Sequence, residues 1–428
     1  MRIPCSGRSA EPTDGPSVKL FRNDREARFL ERPNRFLITA EAENAGGGML
    51  KIPCHCPNPG RLIEFFGYRG SDIPGAALIL EERESGARAK TRWTAAGLYY
   101  RNAVVPLFSA RANRAAEKLI LPAIIPGVRS IRSEFTLENS RFDFLCVDRR
   151  ETRHLVEVKA CSLVEHGVAM FPDAPSERAL KHLEELAALS SQPRQSRGGY
   201  VCHLIFVIVH GEPKCFIPNL HTDPDFAGAL GIYGRAADPS PKKQTPGENQ
   251  GGPVLVHACL LRCDSTGTAY LARPRIPVDL GHGKLAARDS GSYLLLLEIP
   301  QAQNIETGAL GTLRFESGWY VYAGSALKNL SKRIARHLRR VRKKQHWHID
   351  YLGPHAAQIR AYPVCSYRSL ECELAQALEK LGGRGIPRFG SSDCRCKSHL
   401  FYFPDPPLRN PAFIELLLRF RHVTAFEK

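Results

Sequence analysis

No apolar run among the 428 residues approaches the ~18 that a membrane-spanning helix needs. The stretches YLLLLEI (293–299) and HLIFVIV (203–209) read as buried strands instead. The opening MRIPCSGRSAEPTDG has no apolar segment of the kind a secretory signal carries. Thirteen cysteines, an odd number at irregular spacing, make no disulfide framework. A reducing cytoplasm is the expected setting, with no membrane association. Acidic residues are in short supply, with 43 Asp and Glu against 60 Lys and Arg and a net charge of +17. From Ser290 onwards the chain holds 21 basic and 11 acidic residues, a charge of +10 in its last third. Such an excess argues for a polyanionic partner and says nothing about fold; a merely basic protein is the alternative. No internal repeat is present.

What is there suffices for two or three domains with separate cores. Residues 1–17 read as a disordered tail. Over 18–106, short alternating runs (RFLITAEA, AALILEE, GLYYRNAVV) broken by Gly and Pro predict a small β-barrel or sandwich. SARANRAAEKLI (109–120) has helical spacing, and helices and strands mix after it, so 107–281 reads as an α/β domain. In FPDAPSERALKHLEELAALS, Asp173 is the expected N-cap and Pro175 lies in the first turn. Leu183, Leu186 and Leu189 mark the buried side of that helix, and Arg178, Lys181, His182 and Glu185 mark a polar stripe. ADPSPKKQTPGENQGGP (237–253) reads as a surface insertion. A boundary falls at GHGKLAARDSG (281–291), followed by a small α/β domain over 290–405 and an extension over 406–428.

The segment RFDFLCVDRRETRHLVEVKA (141–160) folds naturally as a hairpin about Asp148–Thr152. Residues whose numbers sum to 300 then face each other, which sets Asp143 opposite Glu157 with Cβ atoms ~4.5–5.5 Å apart. Alternation places Asp143, Glu157 and Lys159 on one face and Phe142, Phe144, Val156 and Val158 on the other. Two opposed carboxylates need a cation. Either Arg141 and Lys159 neutralise them in an ion-paired cluster, or a metal ion does. An acid followed by Glu-x-Lys on a strand is what a magnesium-dependent phosphodiesterase needs. Hard carboxylate oxygens hold Mg²⁺, and a lysine orients the water or steadies developing charge.

These residues lie within a larger pattern. CHCPNPGRL (54–62), ARANR (110–114), SEFTLENSRFDF (133–144), LVEVKACSL (155–163) and FPDAPSERALKHLEEL (171–186) resemble, in order and spacing, the sugar fermentation stimulation protein A family. The resemblance implies an N-terminal OB-like barrel, a domain of the PD-(D/E)xK nuclease fold and DNA binding largely indifferent to sequence. By position it makes Asp143, Glu157 and Lys159 the nuclease-like core, with Glu134 a supporting acid at the preceding helix. In the barrel, Cys54-His55-Cys56 has no second Cys/His pair at zinc-finger spacing. A Pro-Asn-Pro-Gly turn offering Asn58 and Arg61 to a phosphate or an adjacent active site is the expectation there.

A second constellation lies in the last third. From Lys328 to Lys344 there are nine Lys or Arg and no acid, an electrostatic footprint for phosphate. GSY (291–293), YAG (322–324), Arg333 and His337 resemble the GIY-YIG nuclease domain, with Ser292 and Ala323 in place of the central residues of the two tripeptides. The resemblance implies Tyr293 and Tyr322 as base or water-orienting groups, Arg333 with His337 beside the phosphorane charge, and one metal-holding glutamate from ECELAQALEKL, Glu373 in preference to Glu371. The late asparagine of that family is missing. FGSSDCRCKSHLFYF (389–403) stands in its place and, with HWHIDYL (346–352), looks like a GIY-YIG-related family often found as a short separate domain. Asp393, Cys394, Cys396 and His399 have donor types for zinc at a compressed spacing, so buried cysteines beside a strand are the default.

The combined expectation is a mixed α/β DNA-binding protein with Mg²⁺- or Mn²⁺-dependent hydrolysis at one or both centres. Arg178, Lys181, Arg336, Arg340 and Lys344 join Asn58 and Arg61 as its phosphate contacts, and a homodimer is left open. The alternative is a regulatory DNA-binding protein of sugar metabolism whose nuclease folds are inactive.

Overall fold

The computed structural model describes residues 15–422 except 45, 68–74, 84–90, 138–139, 192–198, 238–252, 287 and 340–344. Most of the expected tail and insertion, together with Arg340 and Lys344, therefore lies outside the described residues. The chain divides into two compact units, Met1–Lys284 and Leu285–Lys428. Among the described residues no helix is long and apolar enough to cross a membrane.

The first unit opens with a closed five-stranded barrel. Strands Arg25–Asn34, Leu37–Glu43, Met49–His55, Ala77–Glu82 and Trp93–Tyr100 pair in a ring, with Ala103–Pro106 appended. Closure comes from the parallel pairs Cys54–Trp93 and His55–Thr94, which leave the ring without a free edge. This is the expected OB-like barrel. Its alternating inward residues, among them Phe29, Ile38, Leu80 and Leu98, are fully buried.

The barrel does not have a core to itself. A helical segment over 109–124, whose middle turn Ala116–Ile120 is π-helical, packs Ala112, Ala115, Ala116 and Ile120 into the same apolar cluster. Val156, Val158, Ile205 and Val207, from one face of the next sheet, complete that cluster. Barrel and α/β sheet thus share one apolar cluster within the first compact unit.

That sheet runs Ser17–Lys19, Thr268–Arg273, Val254–Cys263, Val201–Ile208, Arg153–Cys161, Ser140–Asp148, Val128–Leu137, with Gly234–Ala236 beside Val254–Cys263. The central strands Arg153–Cys161, Val201–Ile208 and Val254–Cys263 are parallel, and their apolar runs are buried on both faces. Helices Glu177–Ser190 and Pro224–Tyr233 cover the face away from the barrel, with Leu183, Leu186, Phe226 and Leu230 in a second cluster. Ser17–Lys19 joins this sheet, not the barrel expected from residue 18.

The second unit is a five-stranded sheet in the order Gln358–Cys365, Gly291–Ile299, Gly318–Ala326, Leu400–Phe403, Arg384–Gly385, antiparallel throughout. The segment read as an extension is part of this unit. Helix Pro411–His422 buries Phe413, Ile414, Leu417 and Leu418, and Arg421 Nε donates to the Pro363 carbonyl at 2.8 Å.

Candidate active site

The hairpin takes the register read from its sequence. Asp148 Oδ1 accepts from the backbone N–H of Arg150 and Thr152 at 2.8 Å each, closing the turn. The pairs Arg153–Val147 to Val156–Phe144 follow, each summing to 300. The ladder stops one residue before Asp143 and Glu157. There Asp143 Oδ2 accepts the Val158 N–H at 2.8 Å, and Oδ1 accepts from Asn113 Nδ2 at 2.7 Å. The strict alternation breaks here. Phe144 packs with Val156 and Val158 towards the barrel, but Phe142 packs on the opposite side, its ring 6.2 Å from that of His182.

Glu157 is 2 % exposed. Its Oε1 accepts from Lys159 Nζ, two residues along the same strand, and contacts His182 Nδ1 from the crossing helix. Its Oε2 is buried with no hydrogen-bond partner among the described residues. Burial opposes ionisation of Glu157, but His182 and Lys159 outweigh it and hold its pKa below the ordinary value. Burial and the neighbouring Glu157 push the Asp143 carboxyl up, against the pull of Val158 N–H, Lys159 and Asn113. An unpartnered buried carboxylate oxygen with a second carboxylate beside it fits a hard divalent cation. Asp143 and Glu157 are the residues that would hold it.

Sequence reasoning missed Asn113 and misplaced His182. His182 belongs to the polar stripe by spacing, yet it is buried with Ala179, Leu183 and Leu186, while Arg178 and Lys181 on the same helix are exposed. Glu134 is not at a helix. It sits on strand Val128–Leu137 at φ 54°, in register opposite Asp143, with its side chain exposed and paired to Arg141 at 2.8 Å. Helix Glu177–Ser190 is capped by Ser176, whose Oγ accepts from Ala179 N–H at 3.2 Å, and not by Asp173.

Asp173 serves the barrel loop instead, accepting the Leu62 N–H at 3.2 Å. A Cβ on Gly60 would come 2.3 Å from Asp173 Oδ2, so the turn requires glycine there. Asn58 turns inward. It is buried, and its Oδ1 accepts the Gly60 N–H at 2.9 Å to shape its own turn, while Arg61 is exposed. Cys54 and Cys56 are buried, and none of the described cysteines is in a disulfide.

In the second unit, Gly291–Ile299 and Gly318–Ala326 place Tyr293 beside Gly324. A Cβ at residue 324 would come 2.5 Å from the Tyr293 ring. Tyr293 Oη lies 3.0 Å from His337 Nε2, and the Tyr293 and Tyr322 rings are 6.4 Å apart. His337 Nδ1 is 3.4 Å from Asp350 Oδ1. Burial pushes both phenols up, so they stay protonated at neutral pH. Arg333 lies over Trp347 at 4.3 Å. Arg336, expected to contact nucleic acid, is tied to buried Asp350 at 2.8 and 3.3 Å and stacks on Trp347, which gives it a packing role.

Helix geometry reverses the preference among the glutamates. On Glu371–Lys380, Glu371 shares a face with buried Leu374, Ala375 and Leu378, whereas Glu373 points to solvent and pairs with Arg368. Glu371 Oε2 accepts from Ser325 Oγ at 2.5 Å, and Oε1 lies 2.8 Å from His399 Nδ1. Both oxygens of Glu371 are thus engaged, and a metal would find a poorer fit here than at Glu157. Ser292 supports the same helix, its Oγ accepting the Leu370 N–H at 2.8 Å.

Comparison with known families follows this division. Residues 30–107 match the model of the SfsA N-terminal OB domain, 110–236 the sugar fermentation stimulation protein RE domain, and 292–421 a domain of unknown function, DUF123. The sugar fermentation stimulation protein homolog of Desulfitobacterium hafniense is 34% identical over 210 residues, covering 49% of this chain and 84% of that protein. The chain belongs to the sugar fermentation stimulation protein family. The homolog of Thermotoga petrophila is 39% identical over 204 residues, covering 48% of this chain and 80% of its own length. Among solved structures, Pyrococcus furiosus SfsA in complex with Ca²⁺ is similar at a TM-score of 0.46 and 25% identity, over 61% of this chain and 99% of that one. The family therefore accounts for the first unit. The second is the GIY-YIG-related domain fused after it.

Proposed function

We propose that this family member binds DNA without sequence preference and hydrolyses phosphodiesters at the centre formed by Asp143, Glu157 and Lys159. The observation that carries the reading is Glu157, an ionised carboxylate buried beside a second carboxylate with one oxygen unpartnered. Leaving such an oxygen buried is costly unless something occupies it. Mg²⁺ or Mn²⁺ held by Asp143 and Glu157 would supply positive charge to the phosphate oxygens. The chain's own residues do the rest. Asn113 and the Val158 N–H fix Asp143, and His182 fixes Glu157 in its ionised form. Lys159 sits on the same face, where its ammonium can orient a water or steady the oxyanion. Arg178 and Lys181, exposed on the helix that brings His182 in, hold the backbone of an incoming strand. The net charge of +17 favours that encounter.

A second reading has its own observation. Lys159 already pairs with Glu157 and His182 contacts the same oxygen, as they would in a DNA-binding regulator with an inactive centre.

The test is cleavage of single-stranded, duplex and branched DNA with Mg²⁺ or Mn²⁺ by the full chain, Asp143→Ala, Tyr322→Phe and the double variant. Loss of cutting in Asp143→Ala with retention in Tyr322→Phe is the expected result. Salt-sensitive binding with no cutting of any substrate hands the lead to the second reading.

A further inference from the structure

Residues 386–399 carry neither helix nor strand, a long irregular connection for a compact domain. Such a segment needs an anchor, and its polar side chains converge on one. Cys394, Cys396 and His399 meet Cys372, which reaches them from the first turn of helix Glu371–Lys380. The donor atoms of these four residues all lie within 4.8 Å of one another. His399 Nε2 is 3.3 Å from Cys394 Sγ, and the Cys396 N–H points to that same sulfur at 3.4 Å. A tetrahedral zinc with bonds of ~2.1–2.3 Å has edges of about 3.4–3.8 Å, so the cluster is close to the size of its ligand set.

We infer that Cys372, Cys394, Cys396 and His399 form a structural zinc site. Three thiolates and an imidazole select a soft or borderline ion over Mg²⁺. Four protein ligands close the coordination sphere, which fits a structural rather than a catalytic role. The arrangement around His399 supports this. Its Nδ1 faces Glu371 Oε1 at 2.8 Å, leaving Nε2 for the metal, and Ser325 secures the other Glu371 oxygen. A carboxylate behind a ligating histidine fixes its tautomer and raises its basicity. The compressed spacing of Cys394, Cys396 and His399 argued against zinc in the sequence because the fourth ligand lies 22 residues before Cys394, on another element. Glu371 is then an orienting residue of the zinc site as well as an acid whose charge reaches both Tyr293 and Tyr322.

The test uses the full chain, loaded with Zn²⁺ under reductant, desalted and measured for metal per protein by mass spectrometry. One zinc per chain is expected, retained in Cys365→Ser, whose cysteine lies outside the cluster, and lost in Cys372→Ser and Cys396→Ser. Glu371→Gln should keep zinc but weaken its affinity about 10–100-fold in chelator competition. Replacing zinc by Co²⁺ in the wild-type chain should give the visible bands of tetrahedral cobalt thiolate, a readout that needs no variant to fold. The inference is overturned by zinc well below one per chain, by equal zinc in wild type and Cys372→Ser, by a six-coordinate cobalt spectrum, or by a mass lower by two hydrogens that marks a disulfide in the cluster.

Discussion

Glu157 keeps one buried carboxylate oxygen without a partner, whereas both oxygens of Glu371, its counterpart in the C-terminal unit, are taken by Ser325 and His399. The two centres draw on similar residues: an acid, a histidine, a basic side chain and flanking aromatics. They differ in how far those residues satisfy one another. At the first centre, His182 and Lys159 crowd one oxygen of Glu157 and leave the other. At the second, Tyr293 contacts His337, His337 contacts Asp350, and Asp350 holds Arg336 in a chain of mutual partners. Likeness to a catalytic motif is therefore a weaker guide than residual hydrogen-bonding capacity. A buried oxygen with capacity to spare calls for an explanation, and a bound cation would supply one at Glu157.

The largest effect that can break this contrast is on cleavage. Glu157→Gln should lower Mg²⁺-dependent DNA cutting by about 10²–10³-fold, the scale of losing one electrostatic stabiliser of a transition state. Tyr322→Phe should leave the rate of cutting unchanged. The opposite pattern in a steady-state nuclease assay would invert the assignment.

A stability measurement comes next. His154, His203 and His257 form a row across the three parallel strands, with ring nitrogens 3.0 Å apart at each step. Burial lowers all three, His203 well below the ordinary value and His257 to about 4. The unfolded chain, whose histidines titrate near 6.5, then binds protons that the fold refuses. Stability of the first unit should be full above that pH and fall as pH drops towards 4, by ~1.4 kcal/mol per pH unit for each fully titrating group. Denaturant midpoints at several pH values, read alongside hydrogen exchange in Val201–Ile208, check both sign and location. A midpoint that is flat between pH 7 and 5 would contradict it.

Gly324→Ala should destabilise the second unit by about 1–3 kcal/mol, because its Cβ would overlap the Tyr293 ring. A lowered thermal midpoint, partly restored by Tyr293→Leu, would show that the overlap is the cause. The smallest effect concerns DNA affinity. Arg178→Ala and Lys181→Ala should each weaken binding and reduce the salt slope by about one. Arg336→Ala should cost stability and leave the slope as it was, and an Arg336 effect on the slope would return that residue to the interface.

Local rules were enough for part of this architecture. The polar turn at Asp148–Thr152 and the alternation after it yield the hairpin register, and short alternating runs between Gly and Pro yield the barrel. Most departures share one cause, which is that partners distant in sequence decide the outcome. Asn113 and His182 become site residues because two helices cross the same strand pair, and neither carries a local sign of it. Cys372 lies far from the other three donors. The Glu371 and Glu373 choice was open to sequence reasoning, since helical spacing from Leu374 and Leu378 selects Glu371. Phe142 leaves its expected face where the ladder stops and Asp143 accepts the Val158 N–H, a bond no periodicity reports. Arg336 counts as basic surface until Asp350 and Trp347 are seen to hold it.

One pairing in the mixed sheet bears on how the chain is made. Ser17–Lys19 hydrogen-bonds to Thr268–Tyr270, about 250 residues away. Its neighbours in sequence form the barrel, and its neighbours in space come from the end of the same unit. At elongation rates of roughly 5–20 residues per second, about 10–50 s separate the appearance of the two strands from the ribosome. Through that interval the barrel can close, but the short strand ahead of it has nothing to pair with. The segment of this sheet translated first is therefore among the last to find its place.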